Sequence, residues 1–200
     1  MKLVRAISII LHPALMPLAG VFLLLTFAGW LPTLSPGAKG YIYLVTIFTT
    51  ILMPVTLLPL LKRIGMISDY RFAGRDDRKI PLLLFAFFYL AGAFILQKAT
   101  APAIIPMYLN GLSMVVLACA LINWRWKVSI YMAAIGALTG MVIGLSLRWL
   151  INLQWIIGAL FLLAGITGHL RLKGANHTPG QVYAGYLIGL FINILLIRLI

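Results

Sequence analysis

Apolar residues run along this chain in long unbroken blocks separated by short polar and basic connectors. Seven blocks reach or approach the roughly 20 residues that carry a helix across a bilayer: 8–31, 40–61, 81–97, 106–123, 128–147, 150–170 and 179–197. The third is the shortest at 17 residues, which leaves a shallow or re-entrant element as the alternative to a full crossing, although FAFFYLAGAF carries no charge that would oppose burial. Pro13, Pro17, Pro54 and Pro59 fall in the first two blocks and are expected to bend those helices or mark their ends, since proline removes a backbone donor. The pattern predicts an all-α, polytopic membrane helix bundle of about seven transmembrane helices, forming one integral membrane domain over residues 1–200. Within it, Gly136, Gly140 and Gly144 stand four apart, as do Gly185 and Gly189. Such spacing lets helix backbones approach closely in lipid, and here it would set the fifth and seventh helices side by side.

Composition sharpens this picture. Hydrophobic residues make up 63% of the 200 and mean hydropathy is +1.08, well outside the range of a soluble domain. The net charge of +13 would suit nucleic acid, but the cations lie between apolar blocks rather than in a basic domain interleaved with aromatics. Membrane lipids with anionic headgroups are the expected contacts, and no nucleic acid is expected. With seven crossings, twelve Lys and Arg fall on one face and four on the other: Lys39, Lys98, Arg148 and Arg198. The positive-inside rule puts the twelve in the cytoplasm together with the N-terminus, and a bacterial inner membrane is the expected location. Lys2 and Arg5 precede an apolar run without an A-x-A-like cleavage site, so a retained first helix is expected rather than a signal peptide. The single cysteine, Cys119, lies in an apolar block and reads as packing.

Chemistry concentrates in residues 169–186, HLRLKGANHTPGQVYAGY. Thr178, Pro179 and Gln181 form an S/T-x-x-E/Q capping box with proline at the first helical position. A helix start presents free N–H groups and a positive dipole end, and His177 sits one residue before it, with Arg171 and Lys173 close upstream. Two further charged segments, SDYRFAGRDDRKIP and WRWKVSIYMAAIG, are each separated from the next by two crossings, so all three emerge on the same side. His12 and His169 fall near that face as well. Trp124 and Trp126 read as interfacial belt residues.

The order and spacing of these segments resemble the three signatures of the type 2 phosphatidic acid phosphatase and haloperoxidase superfamily, over residues of about 71–190. Arg71, six residues and Arg78, with Pro81 after, resemble K-x6-R-P. Val128, Ser129, Ile130 and Tyr131 occupy the place of P-S-G-H, keeping the serine and losing the histidine. Arg171, five residues, His177, three residues and Gln181 resemble S-R-x5-H-x3-D, with Leu170 for Ser and Gln181 for Asp. The resemblance implies a helical core, possessing six helices in that family, and a metal-independent hydrolase of a lipid phosphate that needs no cofactor. It implies His177 as nucleophile and Gln181 as the residue orienting it. Arg71, Arg78, Lys127, Ser129 and Arg171 would hold phosphate oxygens, and Tyr131 or a water would protonate the leaving alcohol. A phenol, with a reference pKa of about 10, is a weaker proton donor than an imidazolium.

Two other readings stay open on the sequence. One is an inactive relative that binds or transports anionic lipid phosphates through the same basic pocket, because an amide at Gln181 brings no charge to stabilise an imidazolium. The other is a magnesium-dependent phosphatidyltransferase using Asp76 and Asp77. Such sites gather several carboxylates, and the chain has three acids in all, so ion pairs with Arg75, Arg78 and Lys79 are the expected role of this pair.

Overall fold

In the computed structural model, residues 11–70, 74, 76–174 and 177–199 are described, apart from the side chain of Asp76. All regular structure among them is helical. Six helices are long and apolar enough to cross a membrane, and a shorter apolar helix precedes them, so the chain is an all-α membrane helix bundle. The short first helix, α1, runs Pro13–Phe27. It is followed by α2 (Pro36–Arg63), α3 (Lys79–Lys98), α4 (Ile104–Asn123), α5 (Ile130–Trp149), α6 (Gln154–Lys173) and α7 (Pro179–Leu199).

The third and fourth apolar blocks form two full-length helices, α3 and α4, so the shallow alternative for residues 81–97 gives way to a helix of 20 residues. The first block differs from its expected limits of 8–31. Within the described residues its helix spans Pro13–Phe27, and Gly29, at φ +50, turns the chain into a short 3-10 segment at Leu31–Thr33. In α2, a π turn at Phe48–Leu52 absorbs Pro54, whose missing N–H removes one rung of the ladder. Thr46, Thr49 and Thr50 turn their hydroxyls back onto carbonyls four residues earlier, at 2.8, 2.8 and 2.7 Å, so these buried hydroxyls are satisfied within the helix.

The helices are apolar on all sides because their two environments are both apolar. Buried side chains such as Leu24, Tyr108, Leu109, Met141 and Leu145 fill the core, while Phe22, Phe87, Phe161, Phe191 and Trp155 point outward, where lipid would lie. Two hydrogen bonds tie helices together in the dry interior. The Tyr108 hydroxyl donates to the Met16 carbonyl at 3.0 Å, fixing α1 against α4, and Ser113 Oγ donates to the Ala86 carbonyl at 2.9 Å, fixing α4 against α3. A side chain at Gly20 would run into the Tyr108 ring.

The tightest packing is between α5 and α7, along the glycines singled out above. A Cβ at Gly136 would collide with the Tyr186 carbonyl, one at Gly140 with the Leu190 carbonyl, and one at Gly189 with the Ala133 carbonyl. At Gly185 the obstacle is the Ser129 carbonyl. The two helix starts are also joined directly, the Ser129 N–H donating to the Gln181 carbonyl at 3.2 Å. This backbone-to-backbone seam fixes the relative position of the second and third charged segments.

Candidate functional site

One end of the bundle encloses a cavity of about 640 Å³. Six side chains make up its polar rim. His12 precedes α1, Arg78 precedes α3, Lys127 lies in the α4–α5 connector, Tyr131 is in the first turn of α5, Arg171 is in the last turn of α6 and His177 precedes α7. The remaining wall is mostly apolar, with Leu82, Phe85, Leu112, Val115, Val116 and Ala134 from α3, α4 and α5, and includes the phenols Tyr70 and Tyr89. The cavity is therefore amphiphilic, cationic at its mouth and greasy along its length.

His177 is held by the start of α7. The Thr178 backbone N–H donates to Gln181 Oε1 at 3.2 Å, which is one arm of the capping box. Because a backbone N–H can only donate, that contact identifies the amide atom as the oxygen. His177 Nδ1 lies 3.1 Å from the same oxygen and must carry the proton that bonds to it. The ring is thus the Nδ1–H tautomer, and its Nε2 lone pair is left available. Burial, opposed by the Gln181 hydrogen bond and reinforced by Arg78, Lys127 and Arg171, lowers the imidazole to about 4.

Histidine NMR on labelled protein is expected to find His177 neutral and Nδ1-protonated from pH 8 down to about 4, and a titration near the ordinary value of about 6.5 would contradict this geometry. Unfolding returns the ring to its ordinary value, so the unfolded chain binds the extra proton between about pH 4 and 6.5. This group's contribution to stability is complete above that window and is lost as acid approaches pH 4.

Around the imidazole, the cations are set by specific contacts. The Arg171 guanidinium lies 4.0 Å from the centroid of the Tyr131 ring, a cation–π contact that pins α6 to the start of α5. His12 meets the same ring edge-on at 5.8 Å between centroids. Arg78 Nη1 reaches the Val128 carbonyl at 3.5 Å, bridging the start of α3 to the connector that carries Lys127. Lys127 is lowered by burial and then by Arg78, and His12 by burial and then by Arg171. These mutual repulsions are what an anion entering the cavity would relieve.

Asp77 closes the loop in front of Arg78, accepting from the Ser68 N–H at 2.8 Å and from Ser68 Oγ at 2.6 Å. Asp77→Ala is expected to lower stability by about 1–2 kcal/mol and to weaken phosphate binding by loosening Arg78, read by thermal unfolding and by titration with inorganic phosphate. Among the described residues, no three His, Cys, Asp or Glu side chains gather as a metal site would require.

Of the residues expected from the sequence, Arg78, Lys127, Tyr131, Arg171 and His177 line this one cavity, with Gln181 behind His177. Arg71 lies outside the described residues. Ser129 is fully buried and is not part of the cavity wall. Its Oγ has no hydrogen-bond partner among the described residues, and its backbone serves the α5–α7 junction. His169 is exposed and borders a second cavity of about 390 Å³ between α5, α6 and α7. His12, which the sequence places near this face together with His169, lines the main cavity, and so does Tyr70, which was not among the expected site residues. Comparison with models of known families, with curated proteins and with solved structures found nothing that matches the chain.

Proposed function

We propose that the protein is a metal-independent, membrane-embedded phosphohydrolase of a lipid phosphate or diphosphate, working through a phosphohistidine at His177. The observation that carries this reading is the meeting of Arg78, Lys127, Arg171 and the Nδ1-anchored His177 around one cavity whose deeper wall is apolar. Three cations supply the charge that a phosphoryl group needs when it leaves water, and arginine forks suit its oxygens. The apolar wall suits the lipid tail. A neutral imidazole with a free Nε2 is a competent nucleophile, and attack on phosphorus splits hydrolysis into two easier steps. Gln181 keeps the ring in the tautomer that can attack. The twelve-to-four distribution of Lys and Arg supports a cytoplasmic position for this end of the bundle, with a bacterial inner membrane as the setting.

A second reading, a protein that binds or carries anionic lipid phosphates without turnover, is favoured by one feature. The Gln181 amide carries no negative charge to offset the positive charge that His177 gains as it attacks. In serine proteases, changing the orienting carboxylate to an amide costs about 10⁴ in rate, largely through the wrong tautomer. Here the Thr178 N–H fixes the amide the right way round, so the tautomer part of that penalty does not apply. Purified protein assayed with phosphatidic acid, phosphatidylglycerol phosphate and a polyprenyl diphosphate separates the two readings. Release of inorganic phosphate supports the hydrolase, and saturable binding of all three without release supports the carrier.

A further inference from the structure

The cations of the main cavity stand at its mouth, and the apolar length beneath them is shaped by two facing stripes. Leu82, Phe85 and Tyr89 line it from α3, and Cys119, Val116 and Leu112 line it from α4. Spacings of three and four residues keep each set on one face of its helix. The α3 helix runs away from the mouth and α4 runs back towards it, so Tyr89 and Leu112 mark the far end of both stripes. Tyr89 lies eleven positions after Arg78, which at about 1.5 Å per residue puts the end of the cavity about 16 Å below the cationic rim.

Beyond that level the described helices pack closed. Gly92, a turn past Tyr89, is covered by Thr49 of α2 and Leu109 of α4. Tyr108, a turn past Leu112, is fully buried, with its ring against Gly20 and its hydroxyl on the Met16 carbonyl. Ala93, Leu96 and Leu109 are buried as well, and none of these side chains lines the cavity. Tyr89 itself is only 5% exposed, and Phe85 meets its ring edge-on at 6.3 Å between centroids. The cavity thus has a foot, and a phenol stands on it.

A hydrocarbon tail gains with every methylene it takes out of water, about fourfold in affinity for each. That gain ends where the space ends. A tail carried past Tyr89 would have to displace close-packed side chains. One pressed onto Tyr89 would seal its hydroxyl away from water. An extended chain advances about 1.2 Å per bond, so about 13 carbons fit between the level of Arg78 and that of Tyr89.

We infer that Tyr89 is the stop that sets tail length in this site, which takes lipid phosphates whose tail extends no more than about 13 carbons from the phosphate. The inference rests on the lipid-phosphate reading of the cavity and concerns binding, so it holds for a hydrolase and for a carrier alike. Longer tails have to fold back or leave the cavity, and their extra methylenes add nothing to affinity. Val116 stands one turn nearer the mouth than Leu112 and is only partly buried. A larger side chain there would raise the foot of the cavity by about 5.4 Å, or about four carbons.

The test measures equilibrium binding of octyl-, dodecyl- and hexadecylphosphonate, which have no ester bond to cleave, to the purified full-length protein in detergent. Each variant is compared with the parent at each length, so that partition of the ligand into detergent cancels. Tyr89→Ala is expected to leave octylphosphonate within about twofold and to tighten hexadecylphosphonate by about tenfold or more, as two newly buried methylenes would. Val116→Phe is expected to leave octylphosphonate within about twofold and to weaken dodecylphosphonate by about tenfold or more, and it decides alone if Tyr89→Ala fails to fold. A variant-to-parent ratio that does not change with length in either folded variant overturns the inference and leaves the lipid-phosphate reading in place. No saturable binding of any of the three by the parent protein overturns that reading and this inference with it.

Discussion

His177→Ala is expected to abolish phosphate release from a lipid diphosphate, with kcat falling by about 10⁴ or more, as loss of a covalent nucleophile commonly does. Lipid binding should change little, because Arg78, Lys127, Arg171 and the apolar wall remain. The expected split is thus a large effect on kcat and a small one on the dissociation constant of the diphosphate, measured by phosphate release and by equilibrium binding on the same preparation. His177 is also part of the helix start, so its removal leaves Gln181 Oε1 with the Thr178 N–H alone. A thermal unfolding curve close to that of the parent protein assigns the loss of rate to chemistry. A variant that folds, binds and still turns over at the parent rate removes His177 from the mechanism.

The second large effect concerns the scaffold. Gly136→Val and Gly189→Leu each place a side chain against a backbone carbonyl of the opposite helix, Tyr186 in one case and Ala133 in the other. A flexible side chain could swing away, but a carbonyl within a helix ladder cannot. Overpacking of this kind costs about 1–3 kcal/mol when neighbours can yield, and these two sites are expected to exceed that range. Separation of α5 from α7 would also pull Lys127 and Tyr131 away from His177, so folded remnants should lose phosphate binding. By contrast, Gly37, Gly40, Gly158 and Gly165 have nothing within reach of an added Cβ. Alanine at those positions should leave the melting curve in detergent nearly unchanged, which makes them matched controls.

Much of this architecture was legible in the sequence because lipid imposes so few solutions. A span must satisfy its own backbone, so apolar block length announces each helix, and six of the seven blocks appear as helices long enough to cross. The glycine spacing announced the α5–α7 seam, and T-P-G-Q announced the start of α7 together with the hold on His177. Alternation of crossings was enough to put Arg78, Lys127, Arg171 and His177 at one end.

Other features were set by contacts between distant parts of the chain. His12 was placed near this face by the sequence, but what holds the start of α1 beside the cavity is the Tyr108–Met16 hydrogen bond to α4, a pairing across 92 positions that no local pattern marks. The shorter α1 reflects the turn at Gly29, which lies inside an otherwise continuous apolar block. Ser129 was assigned to phosphate from its place in a signature, whereas the close approach of Gly185 buries it in the helix seam. Asp77 was read as a partner for neighbouring cations, and the structure adds a loop closure, two hydrogen bonds from Ser68 nine residues earlier.

The central claim is that the His177 ring, presented as a lone-pair donor amid three cations, takes up a phosphoryl group. Its most direct test is an acid- or base-quenched single turnover with a lipid diphosphate labelled in the terminal phosphate. The account predicts a transient protein-bound label that survives alkali, is released by acid and maps to the peptide carrying His177. Full release of labelled phosphate with no protein-bound label at any time, or a label on a peptide lacking His177, would contradict it.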